Sequence, residues 1–351
     1  MAIEISKKKP FYPVNQSLRG YLEKYSRHES FSLKYDDLLR YTDAFALEDR
    51  FGKDTLWETV LFPQHQIAEL HEALKFIYSL VKMDGDKSFT KHLNIERIDF
   101  CRFANSKPFR VRVVNQFNDN YDYFYVKKAD ASRVYGLELE HILSPNRINY
   151  IVNNETLIEE HIAGMPGDAF IENYLHREVT NKVRIAKEFI KFNQRCFVKL
   201  LGDMRSYNYV IDITPDFEDE QYRVRAIDFD QQSYEGRHRT YLAQFFKENI
   251  EVVKLVQKLI NRDTQYQYEF EELTLMARRA RQAHQRLFDL MKCMKADTLS
   301  RPEKINQLKT ELAKYHREKR FLNCKTMGEV VELNMQVLLV EKLKSFSVNV
   351  K

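Results

Sequence analysis

Near residue 95 the spacing of apolar residues changes from a helical to a strand-like period, and no other feature narrows the possible folds as far. Before it, apolar residues recur every three or four positions over Gln64–Lys82, which predicts an amphipathic helix. After it, Phe109, Val111 and Val113 alternate with arginines, as in a strand with one buried face. The chain therefore combines helices with a sheet.

Strand-like runs on either side of one predicted helix give the order β-β-β-α-β-β. They are the runs 98–103, 109–117 and 121–128, the helix 131–143, and the runs 148–152 and 156–162. Residues before 93 are predicted to be helical, and the chain after 164 is predicted to be mainly helical with a small β insert. We expect four segments, 1–92, 93–163, 164–300 and 301–351.

Length and charge exclude several classes of protein. The 351 residues exceed one small domain, and the formal charge of +5 falls short of the dense basic surface of a dedicated nucleic-acid binder. No apolar run approaches the roughly 18 to 20 residues that cross a bilayer, and no leader-like apolar stretch follows the N-terminal lysines. The prediction is a cytoplasmic protein with neither a membrane nor a specific nucleic-acid partner.

A polar loop followed by an acidic strand end carries the strongest chemical signal. Asp203 and Asn208 are separated by four residues, and Asp228 ends a later apolar run. Phosphoryl transfer from a nucleotide needs such groups, because one carboxylate orients the acceptor hydroxyl while an amide oxygen and a second carboxylate hold Mg²⁺ on the phosphates. The pattern therefore points to a phosphotransferase.

This pattern resembles the protein-kinase-like superfamily, in particular its small-molecule branch of aminoglycoside and choline phosphotransferases and the HipA-like kinases. In that family a His-Gly-Asp-x-x-x-x-Asn loop precedes an Ile-Asp-Phe or Ile-Asp-Trp strand end. Residues 202–208 and 227–229 match this order, although Leu201 stands in place of the His. The resemblance covers roughly residues 95–295. It implies an α+β, bilobal kinase-like fold, with a β-meander N-lobe, an α-rich C-lobe and a helical N-terminal extension.

The resemblance implies ATP and Mg²⁺ as cofactors and assigns roles to individual residues. Asp203 would be the catalytic Asp, and Arg205 would touch the transferring phosphate. Asn208, Asp228 and Asp230 would bind Mg²⁺.

A lysine at the end of the third strand would grip the α- and β-phosphates. Lys127 and Lys128 point to opposite faces of that strand, so only one can enter the cleft. Lys127 is favoured because Tyr125 and Val126 precede it as apolar strand residues, and Lys128 is the alternative. On the next helix, Glu138 or Glu140 would form the family's ion pair with that lysine.

Two further segments would contact the nucleotide if the resemblance holds. The phosphate-covering loop between the first two strands contains Asn105, Ser106 and Lys107 but no glycine. Glu160 and Ile162 lie in the segment whose backbone would hydrogen-bond the adenine edge.

The expected function is transfer of the γ-phosphate of ATP to a hydroxyl of a small-molecule acceptor. Only residues 231–239 lie between Asp230 and the next helix-like sequence, and this stretch is too short for an activation segment, so regulation by loop phosphorylation is not expected. The alternatives are a pseudokinase or nucleotide-binding scaffold without turnover, a kinase acting on a protein side chain, and adenylyl transfer. Residue patterns identify neither the acceptor nor the oligomeric state.

Overall fold

The computed structural model describes residues 9–341 apart from residues 50, 84, 87 and 218. Contacts divide the described residues into two compact units. The sheet unit comprises the residues up to Asp130 together with Ile148–His161, and the helical unit comprises Ala131–Arg147 and the residues from Ile162 onward. Over the described residues, no helix is both long enough and apolar enough to span a bilayer.

One antiparallel sheet dominates the sheet unit. Its helices are α1 (Gln16–Lys24), α2 (Tyr35–Leu38) and α3 (Gln64–Lys82). Its strands are β1 (Asp43–Glu48), β2 (Asp54–Leu61), β3 (Leu93–Phe100), β4 (Phe109–Asn115), β5 (Tyr121–Lys128), β6 (Tyr150–Asn153) and β7 (Thr156–Glu160). The strands lie in the order β1-β2-β3-β4-β5-β7-β6.

The two faces of this sheet differ in chemistry because side chains alternate along each strand. One face packs against α3, which contacts β3 and β7, and Leu74 and Ile77 share one buried core with Val111 and Phe124. The alternate positions of β4 and β5 carry arginines, tyrosines and Lys127, which therefore lie on the face away from α3.

The helical unit surrounds helix α6. Its helices are α4 (Ala131–Leu143), α5 (Gly167–Asn173), α6 (Lys182–Lys199), α7 (Ile250–Leu259), α8 (Arg262–Gln282), α9 (His284–Ala296), α10 (Pro302–His316) and α11 (Met327–Gln336), followed by a π-helical turn (Val337–Glu341). Strands β8 (Met165–Pro166), β9 (Tyr209–Pro215) and β10 (Glu220–Ala226) form a small antiparallel sheet. Helix α6 packs against α7, α8, α11 and β10. The residue after it, Leu200, caps its C-terminus in a left-handed conformation (φ +53°).

The predicted α+β class, with a β-rich unit and an α-rich unit, is confirmed. Strands β3, β4 and β5, helix α4, and strands β6 and β7 follow one another in the predicted β-β-β-α-β-β order, and the later chain is mainly helical. Contacts group α4 with the helical unit, although its sequence neighbours on both sides belong to the sheet.

The prediction that residues 1–92 are helical is wrong over 43–61. There β1 and β2 form an antiparallel hairpin whose turn includes Gly52 at φ +76°. The hairpin extends the sheet because Thr59 of β2 pairs with Asp99 of β3. Strand formation depends on such distant partners as much as on local preference, so the local pattern did not reveal it.

Candidate functional site

The loop after α6 holds Asp203 in a left-handed backbone conformation (φ +60°), which costs a residue other than glycine about 1–3 kcal/mol. The Asp203 N–H donates to the carbonyl of Thr240 at 3.1 Å, and its own carbonyl accepts from the N–H of Arg205 at 2.8 Å. Arg205 Nε also donates to Oδ1 of the Asp203 carboxylate at 2.8 Å. The carboxylate is thus held in one orientation, as a reacting group requires.

Asn208 closes this loop onto Asp203. Its side-chain amide donates from Nδ2 to the Asp203 carbonyl at 2.7 Å, and its backbone carbonyl accepts from the N–H of Ile227 at 3.1 Å. Within the described residues no donor contacts Asn208 Oδ1. That oxygen can therefore accept a bond from a ligand, and the backbone bond ties the loop to the acidic strand end.

Burial raises the pKa of Asp203 above its ordinary value of 3.8, while the hydrogen bond from Arg205 opposes the shift. Arg205 also contacts Glu248 through Nη1 at 3.1 Å, so its guanidinium lies between two carboxylates. The side chain of Asp203 is 25% exposed. A raised pKa makes it a stronger proton acceptor than an ordinary aspartate.

The acidic strand end is paired with a buried arginine of helix α4. Arg133 Nη1 donates to Asp228 Oδ1 at 2.9 Å and to Asp230 Oδ1 at 2.7 Å. The side chain of Arg133 is 1% exposed, that of Asp230 11% and that of Asp228 34%. Asp228 Oδ1 also accepts from the backbone N–H of Asp230 at 3.0 Å. One guanidinium thus pairs with two of the three predicted metal ligands.

Close packing holds α4 against this strand end. Gly136 faces Phe229, and a Cβ at position 136 would lie 3.0 Å from the Cβ of Phe229. Ser132 Oγ donates to the carbonyl of Gln232 at 2.5 Å, and Gln232 Nε2 donates to the carbonyl of Lys199 at 2.5 Å. These bonds connect α4, the acidic strand end and the end of α6 in one buried network.

The predicted ligands Asn208, Asp228 and Asp230 are oxygen donors of the type that Mg²⁺ prefers. All three belong to the helical unit. No group of three His, Cys, Asp or Glu side chains in the described part of the chain could hold a metal ion. In the arrangement observed, Arg133 occupies the position between the two carboxylates, so a divalent ion does not fit there.

The two candidate lysines of β5 lie on opposite faces of the strand. Lys127 is almost completely buried and its Nζ contacts Glu159 Oε2 at 2.8 Å. Lys128 is more exposed and lies 3.5 Å from Glu155. Lys127 therefore lies on the polar face of the sheet, and its entry into a nucleotide cleft stays a prediction.

The two candidate glutamates of α4 are buried in ion pairs of the helical unit. Arg286 Nε donates to Glu138 Oε1 at 2.7 Å, and Lys199 contacts Glu140. Both glutamates are nearly inaccessible to solvent. The ion pair of one of them with Lys127 stays a prediction.

The predicted phosphate-covering loop is a tight turn of the sheet unit. Lys107 takes the left-handed backbone conformation (φ +43°) that glycine adopts most readily. Its carbonyl accepts a hydrogen bond from the hydroxyl of Tyr35 at 2.8 Å. Among the described residues, the side chains of Asn105 and Ser106 have no hydrogen-bond partner. Both can therefore meet a ligand.

The predicted adenine-edge segment spans the boundary between the units. Glu160 belongs to the sheet unit, where its N–H donates to the carbonyl of Asn149 at 3.0 Å and its Oε1 accepts from the N–H of Asn149 at 2.8 Å. Ile162 begins the second part of the helical unit and is buried. Their contacts with a nucleotide stay a prediction.

Sequence reasoning missed three polar residues that build the site. Arg133 pairs with both carboxylates of the acidic strand end, and Glu248 pairs with Arg205. Asn249 donates to the carbonyls of Met204 and Ala243 and so anchors the catalytic loop. None of the three lies at a diagnostic spacing from Asp203, and arginine, glutamate and asparagine are common enough that composition gave no signal.

Neither a protein-family model nor a curated protein matches this chain. One similar solved structure, titin kinase and its flanking domains, is 14% identical, with 65% of this chain and 51% of that chain covered and a TM-score of 0.25. Another, a mutant of the Neurospora crassa PAN3 pseudokinase, is 9% identical, with 96% of this chain and 72% of that chain covered and a TM-score of 0.20. The chain spans about half the length of the titin kinase structure.

Proposed function

We propose that this chain is a nucleotide-dependent phosphotransferase of the small-molecule kinase branch, with Asp203 as its proton acceptor. The observation that carries the proposal is the strained Asp203 turn, which Arg205 and Asn208 hold by hydrogen bonds to the carboxylate and the carbonyl. Strain of this kind persists only where surrounding contacts impose it, and it concentrates at functional sites.

In the proposed reaction the acceptor hydroxyl attacks the γ-phosphorus of ATP. The new oxygen–phosphorus bond forms as the bond to the β,γ-bridging oxygen breaks, and ADP leaves. The hydroxyl proton passes to the Asp203 carboxylate, while Arg205 keeps that carboxylate oriented. Lys127 and the loop with Asn105, Ser106 and Lys107 are proposed to bind the phosphates.

A small-molecule acceptor is proposed because the segment after Asp230 offers no exposed loop for a protein substrate. Gln231, Gln232 and Ser233 are buried, and a 3₁₀ turn begins at His238. An activation segment that docks a protein would need a longer and more accessible stretch at this point.

The test is Asp203→Asn, because asparagine keeps the shape of the side chain and tolerates the left-handed conformation. Turnover of ATP against a panel of aminoglycosides, choline and protein hydroxyls should fall by about 10² to 10⁴-fold. ATP affinity should change little. The matched control is Asp263→Asn, which alters an exposed aspartate of α8.

Full turnover in Asp203→Asn would refute the role of this residue. A second candidate function is nucleotide binding without turnover, and Arg133 is the observation that favours it, because it occupies the place of the predicted metal ion. ATP binding combined with no transfer to any acceptor would support that candidate. Mg²⁺, the predicted cofactor, would have to displace Arg133 from both carboxylates.

A further inference from the structure

Arg133 donates hydrogen bonds to both carboxylates of the acidic strand end from a buried position. Its Nη1 lies 2.9 Å from Asp228 Oδ1 and 2.7 Å from Asp230 Oδ1. Its Nη2 lies 3.4 Å from the carbonyl of Ile227. A guanidinium presents several donors in a fixed plane, which suits a shared carboxylate pair.

Displacing Arg133 would be costly for two reasons. Its side chain is 1% exposed, and a buried charge that loses its partners is strongly destabilising. Its neighbours on α4 are also fixed, since Ser132 bonds to the Gln232 carbonyl and Gly136 lies against Phe229. These contacts hold the backbone of α4 close to the strand end.

We infer that Arg133 is the resident cation of the Asp228 and Asp230 pair. The pair therefore takes up no divalent metal ion, and ATP binds to this chain equally well with and without Mg²⁺. The statement about ATP rests on the proposed function, whereas the statement about metal uptake does not.

The first measurement compares ATP affinity in excess EDTA with that in excess Mg²⁺. For the wild type we expect the two dissociation constants to agree within about twofold, a difference well below 1.4 kcal/mol. In Arg133→Met the two carboxylates lose their counter-ion and become ligands for a divalent ion, so Mg²⁺ should tighten ATP binding by about tenfold or more. A tenfold effect of Mg²⁺ on the wild type would overturn the inference.

The matched control is Arg286→Met. It removes another arginine that pairs with a buried carboxylate of α4, Glu138, but it leaves the acidic strand end intact. We expect it to behave as the wild type does. A gain of Mg²⁺ dependence in this control equal to that in Arg133→Met would overturn the specific role of Arg133.

The second measurement titrates Mn²⁺ without nucleotide and follows the free ion by electron paramagnetic resonance. We expect Arg133→Met to take up one ion more tightly than the wild type and Arg133→Met/Asp228→Asn to lose that gain. Equal uptake by the wild type and Arg133→Met would overturn the inference. If neither the wild type nor any variant binds ATP, the proposed function fails. The Mn²⁺ titration alone then decides whether the Asp228 and Asp230 pair takes up a divalent ion.

A folding defect in Arg133→Met would not block the test. Arg133→Met/Asp230→Asn removes one buried negative charge together with the positive one, and Asp228 then remains as the metal ligand. The wild-type comparison of EDTA with Mg²⁺ needs no variant at all.

Discussion

Asn249→Ala is expected to destabilise the helical unit by about 3 kcal/mol. Asn249 is completely buried. Its Nδ2 donates to the carbonyls of Met204 at 2.9 Å and Ala243 at 2.7 Å, and its Oδ1 accepts from the hydroxyl of Tyr209 at 2.9 Å. Alanine removes both donors and the acceptor, and it leaves the three partners without a replacement.

The magnitude follows from the three bonds. Each buried hydrogen bond contributes about 1 kcal/mol net, so three give about 3 kcal/mol. Tyr209→Phe removes only the hydroxyl bond and should cost about 1 kcal/mol. In the double variant that bond cannot be lost twice, so the two single costs should exceed the double cost by about 1 kcal/mol.

The assay must read the helical unit alone, because two compact units do not give one two-state free energy. Hydrogen exchange of peptides from α6 and β9 reports local opening there. The chain has one tryptophan, Trp57 of β2. Its fluorescence emission follows unfolding of the sheet unit and serves as the control. A cost below about 1 kcal/mol for Asn249→Ala, or strict additivity in the double variant, would refute the reasoning.

Two further predictions concern the same unit and its loop. Gly136→Ala should lower the melting temperature despite the helix propensity of alanine, because the new Cβ would lie 3.0 Å from Phe229 and 3.1 Å from Gln232; overpacking costs about 1–3 kcal/mol. Gly20→Ala in α1 meets nothing within 4 Å and should stabilise, and a stabilising Gly136→Ala would contradict the close packing. Burial raises the pKa of Asp203 in the folded state, so its ionisation disfavours folding as the pH rises through that pKa. Asp203→Asn should therefore have a higher melting temperature than the wild type at pH 7. This difference in melting temperature should shrink as the pH falls below the pKa of Asp203. A difference that stays the same at every pH would contradict the raised pKa.

Regular periods along the chain were sufficient to predict most elements near the site. The predicted boundaries of Tyr121–Lys128 and Ala131–Leu143 agree with those of β5 and α4. Burial with a period of two or of 3.6 is a property of neighbouring residues, so it is visible without a structure. The hairpin over 43–61 was missed because its place in the sheet depends on β3, a distant segment.

Part of the candidate site could also be predicted from the sequence. The spacing of Asp203 and Asn208 pointed to one loop, and the structure joins the two by the Asn208 side chain. The position of Lys127 on the polar face followed from strand alternation. The left-handed conformation of Asp203 was not predicted, because the contacts that impose it come from residues such as Thr240.

The sequence alone predicted the α+β class, the order of strands and helices from β3 to β7, and the oxygen-donor character of the candidate site. Only the tertiary structure decided which charges neutralise one another: Arg133 meets Asp228 and Asp230, and Arg286 meets Glu138. The physical reason is that electrostatic interaction depends on distance in space and on burial. Neither quantity is encoded in the separation of two residues along the chain.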